Sequence, residues 1–422
     1  MRLLLKNIRG LVGAYQDPPP FLAGRDMRHF PVLEDAWLAV EDGRVVDFGS
    51  MSDFPGIADW SGLEILDCDG RYVLPAWCDG HTHLVYAGHR AHELQSRLEG
   101  LTYAEIAARG GGILHSAERL EATSEADLLA SAWARLEHAM RDGIGAMEVK
   151  TGYGLSVAGE LKSLAVIRSL RERAPIPIRT TLLGLHAVPR GYRDAAHWTQ
   201  EAIEVLLPQA LDMGGVDYVD AFCEAGYFGL EEVAAWTEAA QARGIRSKWH
   251  VNQFQRLGGV ARAAQLSARS VDHLEICERE DIEALQRTVH SAEGPTFPVV
   301  LPNCSHFLSI PYAPARAMVD AGLPVVIATD HNPGSAPSGS MTRAVQRAIV
   351  TQRLLPLEAI AAATLNGAAA MDLAHEVGTL SPQRLANFIL THPLDGLIDI
   401  GYRFDENPVA AVYIRGRRLE SL

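Results

Sequence analysis

The sequence predicts an α/β fold: a (β/α)8 TIM-type barrel carrying a small β-sandwich domain built from both chain ends. Three observations point there. Eight apolar, β-rich runs alternate with helical segments through the middle of the 422-residue chain, the pattern of βα units around a buried parallel sheet. Polar residues suited to metal ligation and proton transfer fall at the C-terminal ends of those runs, where barrels of this kind place their chemistry. The two chain ends share another style, short β-like stretches broken by Gly and Asp. The expected division is residues 1–70 for the N-terminal part of the sandwich, 71–373 for the barrel and 374–422 for the C-terminal part.

In the first segment Pro18 to Pro20 mark a loop, and Trp37–Val40 and Arg44–Phe48 read as strands. The barrel runs are Tyr72–His83, Ile144–Lys150, Thr180–Ala187, Tyr218–Glu224, Ser247–Asn252, Ser270–Leu274, Phe297–Asn303 and Leu323–Asp330. Between the first two lies a clear amphipathic helix. Ser124 and Asp127 form its capping box, Leu128, Ala132, Leu136 and Ala139 its apolar stripe, and Gly143 ends it. A helix over Leu355–Leu373 closes the barrel region, and Ala386–Leu390 and Val409–Ile414 return to the terminal β style.

Composition excludes several classes of function. Apolar residues make up 48% of the chain, enough for a large core, yet no run reaches the roughly 20 residues of a membrane span. A net charge of −14 argues against a nucleic-acid partner, which needs clustered Lys and Arg against phosphates. The five cysteines are widely spaced with no CxxC pair, so neither a disulfide scaffold nor a zinc knuckle follows. The apolar stretch in Met1–Arg9 is too short for a secretory signal, and a cytoplasmic location is expected.

His81, His83, His186, Glu224, His250, His273, Asn303 and Asp330 each end or closely follow a strand run. His81 and His83 sit two apart after a strand and so project to one side, which suits two ligands on one ion. An isolated His-x-His is most often a satisfied core pair. Here His250 and Asp330 stand at the ends of the fifth and eighth runs, and His273 at the sixth, a set that reads as one metal site rather than scattered core groups. Arg90, seven residues past His83, is either a solvated surface side chain or a carboxylate clamp. Gly110 to Gly112 read as a mobile loop or lid, and Tyr153 between Gly152 and Gly154 as a ring that closes over ligand. The fourth run holds no lysine to bridge two metals, Lys150 reads as a support or carboxylate partner, and one metal is expected, with Glu224 the weaker candidate for a second.

The segments Asp79–Gly88 (DGHTHLVYAG), Arg109–Ile113 (RGGGI), Glu148–Leu155 (EVKTGYGL), His250–Phe254 (HVNQF) and Thr329–Ser335 (TDHNPGS) resemble the imidazolonepropionase family of the amidohydrolase superfamily, across essentially the whole chain. The resemblance implies His81, His83, His250 and Asp330 as ligands of one divalent or trivalent ion, zinc or iron. It implies His273 as the residue that activates or positions water, and Arg90, Tyr153, His186, Gln253 and Ser335 as the hold on imidazolone propionate. Asn332 and Gly334 would contact product. The implied reaction is hydrolytic ring opening of 4-imidazolone-5-propanoate to N-formimidoyl-L-glutamate in histidine degradation, by attack of a metal-bound hydroxide on the ring carbonyl. Asp330 and His273 are then the catalytic groups, together with Gln253, whose role stays open between chemistry and binding because an amide takes no proton at neutral pH. The expected partner is this small molecule, with no nucleic acid and no membrane, and the expected assembly a homodimer. The rival readings are a mononuclear-metal deaminase of a heterocyclic base and a non-catalytic module that kept the barrel.

Overall fold

The computed structural model describes residues 1–101, 105 and 111–420. Sixteen strands form two sheets. Those of the barrel are β6 (Trp77–Asp79), β7 (Ile144–Lys150), β8 (Ile178–Leu185), β9 (Tyr218–Cys223), β10 (Arg246–Val251), β11 (Ser270–His273), β12 (Phe297–Val300) and β13 (Val326–Ile327). They pair in chain order, every neighbour parallel, with helices between successive strands. Each is buried on both faces, as a sheet wrapped by helices must be, apart from the half-buried first residue of β10 and one position of β8.

The cylinder closes where β13 meets β6. Thr82 and His331 form a parallel bridge. The N–H of His83 donates to His331 O at 2.8 Å and that of Asp330 to His81 O at 3.0 Å. The Asp79 carboxylate takes the Thr329 N–H at 3.0 Å and the Thr329 hydroxyl at 2.6 Å. The seam that joins first strand to last therefore carries three of the expected metal ligands.

The amphipathic helix spans Glu125–Arg141, with the Ser124 hydroxyl accepting the Asp127 N–H at 3.1 Å and the predicted stripe buried. Burying each leucine of such a stripe contributes about 2 kcal/mol.

The second sheet comprises β1 (Arg2–Val12), β2 (Val32–Glu41), β3 (Arg44–Ser50), β4 (Leu63–Asp67), β5 (Tyr72–Pro75), β14 (Phe388–Thr391), β15 (Val409–Ile414) and β16 (Arg417–Arg418). Along one edge β1 pairs antiparallel with β2; along the other it pairs parallel with β4 at its start and with β5 near its end, and β5 pairs with β14. The start of β3 meets the chain just before β14, through Val45 N–H to Arg384 O at 2.9 Å. The terminal sandwich is thus one mixed sheet folded over its own core of Leu5, Ile8, Leu38, Val73 and Phe388.

Most runs shift by a residue or more at their ends, and four depart from the sequence reading in course or kind. The run Tyr72–His83 is two strands in different sheets, because the backbone switches partners at Ala76: Pro75 pairs with Phe388, while the Trp77 N–H bonds Gly143 O at 2.8 Å. The run ending at Asn303 stops at Val300, and Pro302 opens a helix, Pro302–Leu308, that contains Asn303. In Leu323–Asp330 only Val326–Ile327 is in ladder register. The helix over Leu355–Leu373 is two, Pro356–Ala363 and Leu365–Ala370, bent at Thr364, where Gly378 packs so closely that a Cβ would lie 3.0 Å from Thr364 O.

Candidate active site and metal centre

The imidazoles of His81, His83 and His250 converge at the C-terminal mouth of the barrel. The Nε2 atoms of His81 and His83 lie 3.3 Å apart, and Asp330 Oδ1 is 3.4 Å from the first and 3.5 Å from the second. Ligand atoms of His81, His83 and His250 all fall within 4.8 Å of one another, as do those of His81, His273 and Asp330. Tetrahedral donors at about 2.1 Å from one ion sit about 3.4 Å apart, so this spacing suits a shared cation better than mutual hydrogen bonds. His250 Nε2 is buried with no hydrogen-bond partner among the described residues. Burial pushes His81 and His83 well below the ordinary imidazole range, keeping them in the neutral form that ligates metal. Three imidazoles and a carboxylate fit a zinc- or iron-class ion by donor type as well as spacing.

Behind these imidazoles lies a set of buried charges, of which the sequence reading had Lys150 as a support or carboxylate partner and missed the carboxylates themselves. His81 Nδ1 pairs with Asp272 Oδ2 at 2.6 Å, and His250 Nδ1 with Asp220 Oδ2 at 3.1 Å. The Lys150 ammonium joins Glu148 at 2.6 Å, Asp220 at 2.8 Å and Asp272 at 3.5 Å, and Lys248 also pairs with Glu148. Burial pushes the Lys150 pKa down, but Asp220, Glu148 and Asp272 outweigh it and raise it overall. Carboxylates behind metal-ligating histidines fix tautomer and ring angle. Lys150 therefore acts from inside the barrel, as a tie between the carboxylates.

The ligands open into a pocket lined among others by Arg90, Tyr153, His186, Gln253, His273, Asn332 and Ser335. Arg90 is 6% exposed, so it is no solvated surface side chain; its Nε lies 3.2 Å from Glu93 Oε2. Gly334 lies directly against it, where a Cβ would overlap the guanidinium. The Asn332 carboxamide organises that loop: its oxygen takes the N–H of Gly334 at 2.8 Å and of Ser335 at 2.7 Å, and its nitrogen donates to Asp330 O at 2.7 Å.

Tyr153 is already buried, edge-on to His83 and His186. Its turn is held by Glu160, whose carboxylate accepts the N–H groups of Gly152, Gly154 and Leu155 at 2.8, 2.7 and 2.9 Å. Gly152 has φ 110°, a left-handed-side conformation open to glycine. His186 Nδ1 donates to Gly152 O at 2.8 Å, and burial lowers its pKa to about 3, so Nε2 carries a lone pair. Gln253 donates to Cys304 Sγ at 3.4 Å. His273 at the end of β11 and Asp330 three residues past β13 both take positive φ, 85° and 56°; such conformations cost on the order of 1–3 kcal/mol each and cluster where function needs a side chain aimed off the strand.

Two weaker candidates have other work. Glu224 accepts the N–H of Ala225, Phe254 and Gln255 at 3.0, 2.9 and 3.3 Å, which uses both its oxygens on loop backbone. Asn303 donates to Ser338 O and Ser340 O and accepts from Arg347. Of the glycine run, Gly112 opens a helix and gives its N–H to Glu93 at 2.7 Å. Arg109 and Gly110 lie outside the described residues.

Comparison with known proteins places this geometry. The amidohydrolase family model matches residues 230–419. The chain is 47% identical over 418 residues to the imidazolonepropionase of Flavobacterium johnsoniae, covering 99% of this chain and 100% of that one. It is 43% identical over 418 residues to that of Christiangramia forsetii, again covering 99% and 100%. Among solved structures, the guanine deaminase of E. coli superposes with a TM-score of 0.72 over 100% of this chain and 99% of that one, at 14% identity, a likeness of fold.

Proposed function

Because the chain belongs to the imidazolonepropionase family, we propose that it opens the ring of 4-imidazolone-5-propanoate by hydrolysis, giving N-formimidoyl-L-glutamate in histidine degradation. It is a hydrolase acting on the C–N bond of a cyclic amide. The observation that carries the reading is the pocket itself: three imidazoles and a carboxylate around one point, with the buried Arg90 lining the same cavity.

In this proposal His81, His83, His250 and Asp330 hold one zinc or iron ion. When bound, the ion supplies Lewis acidity, polarising the ring carbonyl and lowering the pKa of water from 15.7 toward about 7. Asp330 takes the proton of the attacking water and delivers it to the ring nitrogen as the C–N bond breaks. His273 hydrogen-bonds the water or the oxyanion that grows on the carbonyl. Arg90 clamps the propionate, its position set by the bare backbone of Gly334. His186 offers the Nε2 lone pair to a ring N–H, Tyr153 covers the ring, and Gln253, Ser335 and the Asn332 loop complete the hold. Gln253 acts here in binding, since its amide takes up no proton at neutral pH.

A small-molecule substrate and a homodimer working in the cytoplasm belong to the same proposal, as does the absence of a nucleic-acid partner, in keeping with a net charge of −14. Among the described residues no helix is long and apolar enough to cross a membrane.

The direct test is to add imidazolone propionate and follow the loss of its ultraviolet absorbance, with amine-bearing rings as controls. Turnover of the amines alone would establish the deaminase reading. Arg90→Ala is expected to raise KM by about tenfold or more with a smaller change in kcat. A base-directed deaminase has no use for that clamp, and an unchanged KM would remove the role. Chelation should abolish turnover, and zinc or ferrous ion should restore it at about one ion per chain. Full activity in metal-stripped protein would end the metal assignment.

A further inference from the structure

The pocket holds two histidines outside the proposed ligand set, His186 and His273, and the fold gives them opposite partners. Behind His186 stands a neutral acceptor, the carbonyl of Gly152. Behind His273 stands a carboxylate. His273 Nδ1 lies 3.5 Å from Glu275 Oε2, at the edge of hydrogen-bond range. Both atoms are buried, and neither has a hydrogen-bond partner among the described residues. A buried imidazole nitrogen and a buried carboxylate oxygen this close are each other's available partner, a dyad that needs only a small approach to close, since leaving either alone costs about 1–3 kcal/mol or more.

Glu275 is itself held. Its other oxygen accepts the Ser305 hydroxyl at 3.0 Å, and Ser305 sits in the helix Pro302–Leu308 that follows β12. The residue is 5% exposed. Its strand leaves β11 through two successive positive-φ residues, His273 at 85° and Leu274 at 69°. That kink turns Glu275 back toward the ring two residues before it, where a regular strand would place both on one face without bringing the carboxylate behind the imidazole. Among the described residues of the site, the other imidazoles backed by a carboxylate are His81, against Asp272, and His250, against Asp220, both in the proposed ligand set, and Gln253 offers only an amide.

We infer that Glu275 is a positioning residue for the hydrolysis: it keeps the hydrogen of His273 on Nδ1 and fixes the ring so that Nε2 faces the reacting carbonyl and its water. The inference rests on the hydrolase reading above. It needs no contact between Glu275 and substrate. An orienting carboxylate behind a catalytic imidazole acts through tautomer and angle, and its loss leaves binding largely intact while the chemical step slows.

The test compares wild type, Glu275→Gln and Glu275→Asp as metal-loaded enzymes. Glu275→Gln is expected to lower kcat by about tenfold to a hundredfold with KM within about twofold, and Glu275→Asp to recover most of that loss. With ¹⁵N-labelled histidine, wild type should show His273 protonated at Nδ1, and Glu275→Gln should lose or shift that signal. Should the Gln variant fold poorly, Ser305→Ala, which frees one Glu275 oxygen, is expected to give a smaller kcat loss in the same direction. A kcat unchanged in Glu275→Gln, or a loss confined to KM, overturns the inference, as does a His273 tautomer that ignores position 275. A wild type that turns over no imidazolone propionate would instead sink the hydrolase reading, while the tautomer measurement would still decide the dyad.

Discussion

Asp330→Asn is expected to lower kcat by about a thousandfold or more while the protein stays folded. The asparagine has the same shape and keeps one oxygen that can face the Ser335 hydroxyl, 3.5 Å from Oδ2 in the aspartate. What it lacks is the capacity to take a proton, and the charge that draws a cation between Oδ1 and the imidazoles of His81 and His83. Burial already raises the Asp330 carboxyl, partly offset by His273 and His250, so the charged form depends on its surroundings. Steady-state kinetics on fully metal-loaded protein, with metal content measured in parallel, separates loss of ligation from loss of proton transfer. A loaded variant with kcat within tenfold of wild type would remove Asp330 from the chemistry.

Lys150→Met is the substitution expected to cost most stability, about 3–5 kcal/mol. Methionine fills much the same space but leaves Glu148, Asp220 and Asp272 facing one another with one ammonium fewer, all fully buried. Two of those carboxylates hold His250 and His81 from behind. Metal affinity should therefore fall as well, by about tenfold to a hundredfold. Denaturant unfolding and a competitive chelator titration read the two effects. Unchanged unfolding would mean that the ammonium is replaceable by an apolar stem, and that the network does not hold the histidines.

The sequence exposes the barrel because its strands are buried on both faces and so read as apolar runs; Ile144–Lys150 matches the observed strand residue for residue. Where an apolar run serves two sheets, as at Tyr72–His83, periodicity has no means to show the switch. The proposed ligands were legible because histidines at strand ends are conspicuous. Asp220, Asp272 and Glu275 were not, since a carboxylate inside or just after a strand reads like any polar interruption until the facing strands are known. The signal that was available is the alternation of Glu148 with Lys150 and of Lys248 with His250, charges at i and i+2 that must share the barrel interior. From the residues alone Arg90 could not be separated from a surface arginine; the resemblance implied a clamp, and its burial against Gly334 rules out the solvated alternative.

The seam between β6 and β13 has a consequence for how the molecule comes into being. The Asp79–Thr329 clasp joins residues 250 positions apart, so a chain emerging from the ribosome holds His81 and His83 long before their partner at Asp330 exists. Contacts this distant in sequence form late and slowly. Cation uptake by the nascent polypeptide should thus mark the final step of its maturation, and a truncated product ending before Thr329 should neither retain the ion nor escape quality control.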